Sequence, residues 1–265
     1  MLGGRLAHPA LVCDVSIGQS TLATQRVIGN LFYRGLVLRR SPVIGDTLHT
    51  TTEVVALRQT RPKPGRPATG LAVLRIRTGD QEGRRVLDYW RCAMLPLRDP
   101  DGRTGHDDDL ATIPAELEAG ALRAAIGDWD LTALPPARRP DASARWEIQG
   151  GDVVSAAPEL ARLSLNVASA HHDAGGGRRL VYGGHTIGLA AAQASRALPE
   201  LLTIVAWHSC DHLGPVYEGD TLHSTLELER IEALPQRGAL VHLRSRVRAS
   251  AKREVLDWRF VGVLP

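Results

Sequence analysis

Two stretches of the chain share one order of apolar and polar positions. Alternating or largely apolar runs predict three strands in each stretch: 51–57, 72–77 and 86–90 in the first, and 224–229, 241–248 and 255–258 in the second. A longer helical stretch is predicted upstream of each set, over 18–31 and over 183–198. Each stretch is therefore expected to fold as a helix followed by a meander of antiparallel strands.

A short motif repeats between the two stretches. The segment Pro42–His49, PVIGDTLH, recurs at Pro215–His223 as PVYEGDTLH, with one inserted residue. Because the same element order surrounds both copies, the match indicates two copies of one α+β module. We predict a first copy over 1–97 and a second over 146–265. Residues 98–145 lose periodicity and gain turn formers and charges, which favours a solvated crossover linker over a metal site at 106–109.

The second copy carries about thirty residues ahead of its long helix that have no counterpart in the first. Within them a short helix is predicted over 157–165, with Ser155 as its N-cap. Polar residues then gather over a few positions: Asn166, Ser169, His171, His172 and Asp173. Three glycines follow at 175–177, and 182–185 lead into the long helix. This asymmetry places the candidate chemistry in the second copy.

The residue types in this segment suit proton transfer beside a carbonyl group. An imidazole such as that of His171 has an ordinary pKa near 6.5, so it can act as acid and as base at neutral pH. A polar side chain five residues earlier, Asn166, can hold a water molecule against it. Backbone N–H groups at a helix start, exposed by Gly183 and Gly184, can stabilise negative charge on a thioester oxygen.

The spacing Asn166-x4-His171-x-Asp173, with its glycine turn into a long helix, resembles a known family motif. It is similar to the Asp-x-Asn-Pro-x-His-x-Asp motif of MaoC-like (R)-specific enoyl-CoA hydratases and dehydratases. The Pro-Val and Gly-Asp-Thr-Leu pattern in both copies is a further family hallmark. The resemblance implies an α+β double hotdog fold, in which each of two tandem modules wraps a curved antiparallel sheet around a long helix. It also implies an acyl-CoA thioester substrate and no cofactor or metal.

The resemblance assigns roles residue by residue. His171 matches the catalytic histidine, Asp173 the second aspartate, and Gly183 the glycine whose N–H binds the oxyanion. Asn166 departs from the family, which has an aspartate there, and Ala168-Ser169 replace Asn-Pro.

Double hotdog members that act on branched C4–C5 dicarboxylic acyl-CoA esters, such as mesaconyl-CoA hydratase, resemble this chain in having asparagine at that position. They also have a turn similar to Tyr182-Gly183-Gly184 at the helix start. The resemblance to them implies that His171 is the only general acid and base, with Asn166 orienting water. Substrate binding is expected at Gly183, Gly184 and Tyr182, and His185 either caps the helix or reaches the pocket.

Two other functional classes stay open. The missing aspartate and the shortened first copy are compatible with a non-catalytic acyl-CoA-binding protein, and hotdog modules also include thioesterases. A zinc site is a weaker alternative, because His208, Cys210 and His212 are expected on one face of a strand. The segment is more simply the strand that follows the long helix.

Composition narrows the possible classes of protein further. Hydrophobic residues make up 43% and charged residues 23%, which is typical of a globular protein. The 32 cations, all but Lys63 and Lys252 arginine, are scattered among 29 acids, so no nucleic-acid surface is expected. Three distant cysteines without a CxxC pair favour a reducing cytoplasm. No apolar run is long enough to span a membrane, and a homodimer is expected because hotdog pairs often associate further.

Overall fold

A computed structural model describes residues 5–62, 64–114, 116–118, 120–127, 129–235 and 237–265. Its α-helices are α1 Pro9–Ser20, α2 Ala121–Ile126, α3 Ala157–Leu163 and α4 Gly183–Ala197. Its strands are β1 Gly29–Leu38, β2 His49–Gln59, β3 Thr69–Gly79, β4 Arg85–Pro96, β5 Arg145–Glu147, β6 Asp152–Val153, β7 Thr203–His212, β8 Thr221–Ala233, β9 Ala239–Ala249 and β10 Arg253–Leu264. Short 3-10 turns are Thr21–Thr24, Leu110–Thr112, Ser169–His171 and Ser250–Lys252.

All strands join one antiparallel sheet in the order β2-β3-β4-β1-β7-β10-β9-β8-β5, with β6 also pairing with β8. The two copies meet where β1 pairs with β7, from Phe32 opposite Asp211 to Val37 opposite Ala206. The predicted α+β double hotdog fold is therefore confirmed. The six predicted strands lie within observed strands, and the helix predicted over 183–198 matches α4 except at its last residue. The domain limits drawn at 97 and 146 stay a prediction.

The two faces of the sheet are covered differently. The main apolar core lies on the face that carries α1 and α4, and these two helices pack against each other. On the opposite face, Ala121 and Ile126 of α2 pack with Val205, Leu240 and Val261. Part of the linker thus covers the sheet, where the sequence predicted a solvated crossover. No helix in the described part of the chain is long and apolar enough to cross a membrane.

The helix predicted over 18–31 is wrong, because α1 begins nine residues earlier, at Pro9. Proline suits the first helical turn, and the His8 side chain accepts a hydrogen bond from the N–H of Ala10 at 3.3 Å. The helix is buried on nearly every side, so polar residues such as Asp14 and Ser16 are buried with Val12 and Ile17. Such a helix lacks the amphipathic pattern on which the prediction relied.

Two local predictions are also corrected. Ser155 does not cap α3, since the N-cap position is Ala156, which has a left-handed backbone (φ +50°) and makes no side-chain cap. His208 does not share a face with Cys210 and His212, because a bulge in the pairing of β7 with β10 reverses the alternation. His208 instead lies 2.9 Å from His242, and Cys210 is buried in the main core.

Candidate active site

His171 ends a 3-10 turn and is buried. Its Nδ1 lies 3.1 Å from the carbonyl oxygen of Leu180, which can only accept a hydrogen bond, so Nδ1 carries the proton. The Nε2 atom is left with its lone pair. Burial lowers the pKa of His171, and the Leu180 carbonyl opposes part of that change. The ring is therefore neutral at pH 7, as a general base must be before it acts.

Asn166 is buried beside this histidine segment. Its Oδ1 accepts a hydrogen bond from the N–H of Ala168 at 2.9 Å, and its backbone carbonyl lies 2.6 Å from Nε2 of His172. Among the residues that the structure describes, nothing is hydrogen-bonded to its Nδ2. Leu165, just before it, has φ +61°, a strained conformation for a branched side chain. The side-chain amide is thus fixed through its oxygen and can donate through its nitrogen.

The first copy holds this segment in place. A methyl group added at Gly18 of α1 would overlap the carbonyl oxygen of Ser164, so the helix and the segment are in direct backbone contact. The hydroxyl of Thr21 accepts from the N–H of Val167 at 2.9 Å, and the carbonyl of Gln25 accepts from Ser169 at 3.0 Å. The motif of the second copy therefore depends on the helix of the first for its position.

The start of α4 lies beside the histidine. The ring of Tyr182, the N-cap residue, has its centroid 5.9 Å from that of His171. In the described residues no acceptor is recorded for the N–H groups of Gly183 and Gly184. These groups lie at the positive end of the helix dipole, where a developing oxyanion is stabilised. A neutral base and two open donors are thus brought close to one buried tyrosine.

Two other residues expected at the site lie at its margins. His185 is half-buried, with its Nδ1 buried and unpaired among the described residues, and burial lowers its pKa. Asp173 is exposed, and its carboxylate accepts a hydrogen bond from Gly175 at 2.8 Å. The Asp173 carboxylate thus shapes the glycine loop.

Sequence reasoning did not place two buried polar groups, Asp14 and His212, at the start of α4. The carboxylate of Asp14 lies against Gly184 together with the Tyr182 ring, where an added methyl group would lie 2.5 Å from Cε1 and Cζ of the tyrosine. His212 lies against Gly183, where an added methyl group would lie 2.6 Å from its Cε1. Burial raises the pKa of Asp14 to about 7 and lowers that of His212 to about 4. The sequence signal for Asp14 was an acid inside the apolar run 9–17.

No family model matches the chain. Two known proteins are similar to it in sequence. It is 34% identical to mesaconyl-CoA hydratase of Cereibacter sphaeroides over 215 residues, which cover 74% of this chain and 60% of the relative. It is 29% identical to beta-methylmalyl-CoA dehydratase of Chloroflexus aurantiacus over 255 residues, which cover 88% of this chain and 69% of the relative.

Solved structures agree with this relationship. A double hotdog protein of Mycobacterium tuberculosis, described as essential for bacterial survival during infection, is 52% identical, with a TM-score of 0.88 over 99% of this chain and 83% of its own. A Chloroflexus aurantiacus protein described as a MaoC domain dehydratase is 25% identical, with a TM-score of 0.77 over 98% of this chain and 82% of its own. The chain therefore has the double hotdog fold and resembles MaoC-like hydratases and dehydratases.

Proposed function

We propose that this protein adds water to, or removes it from, the 2,3-bond of an acyl-CoA thioester, converting an enoyl-CoA and a 3-hydroxyacyl-CoA into one another. The observation that carries the proposal is a buried neutral His171 beside the start of α4. Within the described residues, its Nε2 and the N–H groups of Gly183 and Gly184 have no recorded hydrogen-bond partner. The names of the two relatives, a hydratase and a dehydratase of CoA esters, support the same reaction.

In this mechanism the thioester oxygen accepts hydrogen bonds from the N–H groups at the start of α4. That contact polarises the conjugated double bond and makes C3 electrophilic. Asn166 holds a water molecule through its Nδ2, and His171 removes a proton from that water as its oxygen bonds to C3. In the reverse direction the protonated His171 donates that proton to the leaving hydroxyl group.

A short branched or dicarboxylic acyl group, such as the mesaconyl group, is the proposed substrate. Both relatives are named for branched C5 dicarboxylic esters. In this chain Asp14 and Gly18 of α1 pack directly against the start of α4 and the Asn166 segment. A helix packed there limits the depth available to an acyl chain, which favours a short one.

The test is to mix the purified protein with mesaconyl-CoA and, separately, with crotonyl-CoA, and to follow the loss of enoyl absorbance. His171→Ala is expected to lower the rate by about 10²–10⁴-fold, as loss of a general acid and base does, without unfolding the protein. His106→Ala is the matched control, because that histidine is exposed on the linker. Near-full activity of the His171 variant would show that the site is wrongly assigned.

The same assay separates the other two classes. Tight acyl-CoA binding without turnover of either ester would indicate a non-catalytic binder, and release of free thiol would indicate a thioesterase. Burial raises the pKa of the Cys13 and Cys210 thiols far above neutral, so neither cysteine offers a thiolate nucleophile for thioester cleavage. A thioesterase acting through a cysteine nucleophile is therefore not supported by these two residues.

A cytoplasmic homodimer is part of the same proposal. All three cysteines are buried and free, as suits a reducing compartment. The edge strand β2 exposes Val54 and Val55, which gives an apolar margin for association with a second copy. Light scattering on the purified protein measures the oligomeric state, and a monomer at micromolar concentration would contradict the dimer.

A further inference from the structure

A buried carboxyl group from the first copy lies at the candidate oxyanion site of the second. Asp14 is only 8% exposed, and a methyl group built on Gly184 would overlap its Oδ1. The same methyl group would lie 2.5 Å from the Tyr182 ring, so the carboxyl group and the phenol border one backbone position. That position is the second residue of α4, whose N–H has no recorded acceptor among the described residues.

Nothing in the described part of the chain neutralises Asp14. It forms no ion pair there, and the Tyr182 hydroxyl lies close to it but outside hydrogen-bond geometry, buried and unpaired. A buried carboxylate without a cation is costly, so the group is kept protonated over a wider pH range than usual. Burial is the main cause that raises the pKa of Asp14 to about 7, and the nearby Tyr182 hydroxyl opposes part of the rise.

The position of Asp14 determines which substrate atom it faces. When the thioester oxygen accepts from Gly183 and Gly184, the carbonyl carbon lies next to those groups, and C2 is bonded to that carbon. A carboxyl group that borders Gly184 is therefore close to C2 of an ester bound in this way. The His171 ring lies 5.9 Å from the Tyr182 ring, centroid to centroid, and in the proposed mechanism its Nε2 acts on the water that attacks C3. One proton-transfer group then serves each carbon.

We propose that Asp14 is the second proton-transfer group of the site, which protonates C2 in hydration and removes the C2 proton in dehydration. This inference rests on the proposed hydratase activity and gives the first copy a catalytic residue. It also explains how Asn166 can stand where the family has an aspartate, because the missing carboxyl group is supplied from α1.

The proposed steps balance. Water oxygen bonds to C3 while His171 Nε2 takes one water proton, and the double-bond electrons move to the thioester oxygen as an enolate. The enolate electrons then form a bond from C2 to the proton of Asp14, leaving a carboxylate. His171 then releases its proton to solvent and the Asp14 carboxylate takes one up from solvent, which restores both groups. The net change is the addition of one water molecule.

The test is hydrogen exchange at C2 of the saturated ester butyryl-CoA in deuterated water, followed by NMR. The exchange needs a base at C2 but no water at C3. We expect the wild type and His171→Ala to exchange the C2 protons and Asp14→Asn to exchange them at least 10²-fold more slowly. Asp88→Asn is the matched control, since it removes another buried first-copy carboxylate, one that is paired with Arg75 and Arg85. We expect this control to retain exchange.

A second measurement does not require the Asp14 variant to fold. Hydration by the wild type is expected to decline above about pH 7 as Asp14 loses its proton. Tyr182→Phe removes the hydroxyl that lowers the pKa of Asp14, so the decline should move to higher pH. Full C2 exchange by a folded Asp14→Asn, or an alkaline decline that Tyr182→Phe leaves in place, would overturn the proposal while the hydratase activity stands. A wild type that hydrates neither ester would instead overturn the proposed function.

Discussion

Substitution of Gly184 by alanine tests the packing on which the site depends. The added methyl group would lie 2.5 Å from two carbons of the buried Tyr182 ring and would overlap Asp14, whereas carbon atoms in contact prefer about 3.5–4.0 Å. One side chain or the helix must move by about 1 Å. Overpacking of this kind costs about 1–3 kcal/mol.

Gly188 in the same helix supplies the control, because a methyl group there has no atom within 4 Å. Alanine inside a helix is favoured over glycine by roughly 0.5–1 kcal/mol, so Gly188→Ala is expected to stabilise the protein. The two variants should differ by about 1.5–4 kcal/mol. At about 2–4 °C per kcal/mol for a chain of this size, that is roughly 3–16 °C in Tm.

Thermal unfolding followed by circular dichroism measures this difference, and the enoyl absorbance assay measures activity on the same samples. Gly184→Ala is expected to lose both stability and hydration, because the methyl group displaces the groups around the oxyanion position. Equal melting temperatures for the two alanine variants would refute the close approach of Asp14 and Tyr182 to α4. Loss of hydration in Gly188→Ala alone would refute the assignment of the site to the helix start.

Three other expectations concern a hydrogen bond between the copies and the buried titratable groups. Thr21→Val removes the acceptor of the Val167 N–H and should cost about 1–3 kcal/mol in urea unfolding while raising KM, whereas unchanged stability would contradict that hydrogen bond. His212 and His242 have a pKa of about 4 when folded, below the ordinary 6.5, so the unfolded chain binds more protons between those values and Tm should fall from pH 6.5 to pH 4. A His242→Gln variant should lose less stability over that range, and an identical loss would count against its buried neutral state. Asp14 has a raised folded pKa, so its contribution to stability is full below about pH 4 and is lost as pH rises through 7. Asp14→Asn should therefore gain stability over the wild type at pH 8.5 but not at pH 4, and a constant difference in Tm would contradict burial of the carboxyl group.

The strands could be predicted because the alternation of apolar and polar residues that marks a strand is visible within a few neighbouring positions. Alternation of apolar and polar residues in β3 and β9 follows directly from a sheet with one face toward the main core, and the repeated Gly-Asp turn fixed where each meander begins. The glycine pair at the start of α4 was equally visible, because the helical periodicity begins immediately after it.

Helix α1 was not predictable by the same means, and the acid at the site was missed with it. Its burial on nearly every side removes the polar stripe by which a helix is recognised. Its contacts with α4 and with 164–169 join residues that are far apart in the chain. The reversal of face in β7 depends on a bulge against β10, which is a property of the pair of strands. The position of α1 and the reversal in β7 both depend on contacts between distant parts of the chain, so they could be seen only in the structure.

The direct contact of α1 with the 164–169 segment makes the two copies unequal partners of one unit. Two separately made halves could also pair like with like, giving assemblies that lack either the histidine segment or the helix that supports it. Covalent fusion along one sheet excludes that outcome, because every histidine-bearing half is synthesised with its own supporting half. The one-to-one ratio of the two halves is thereby fixed at translation.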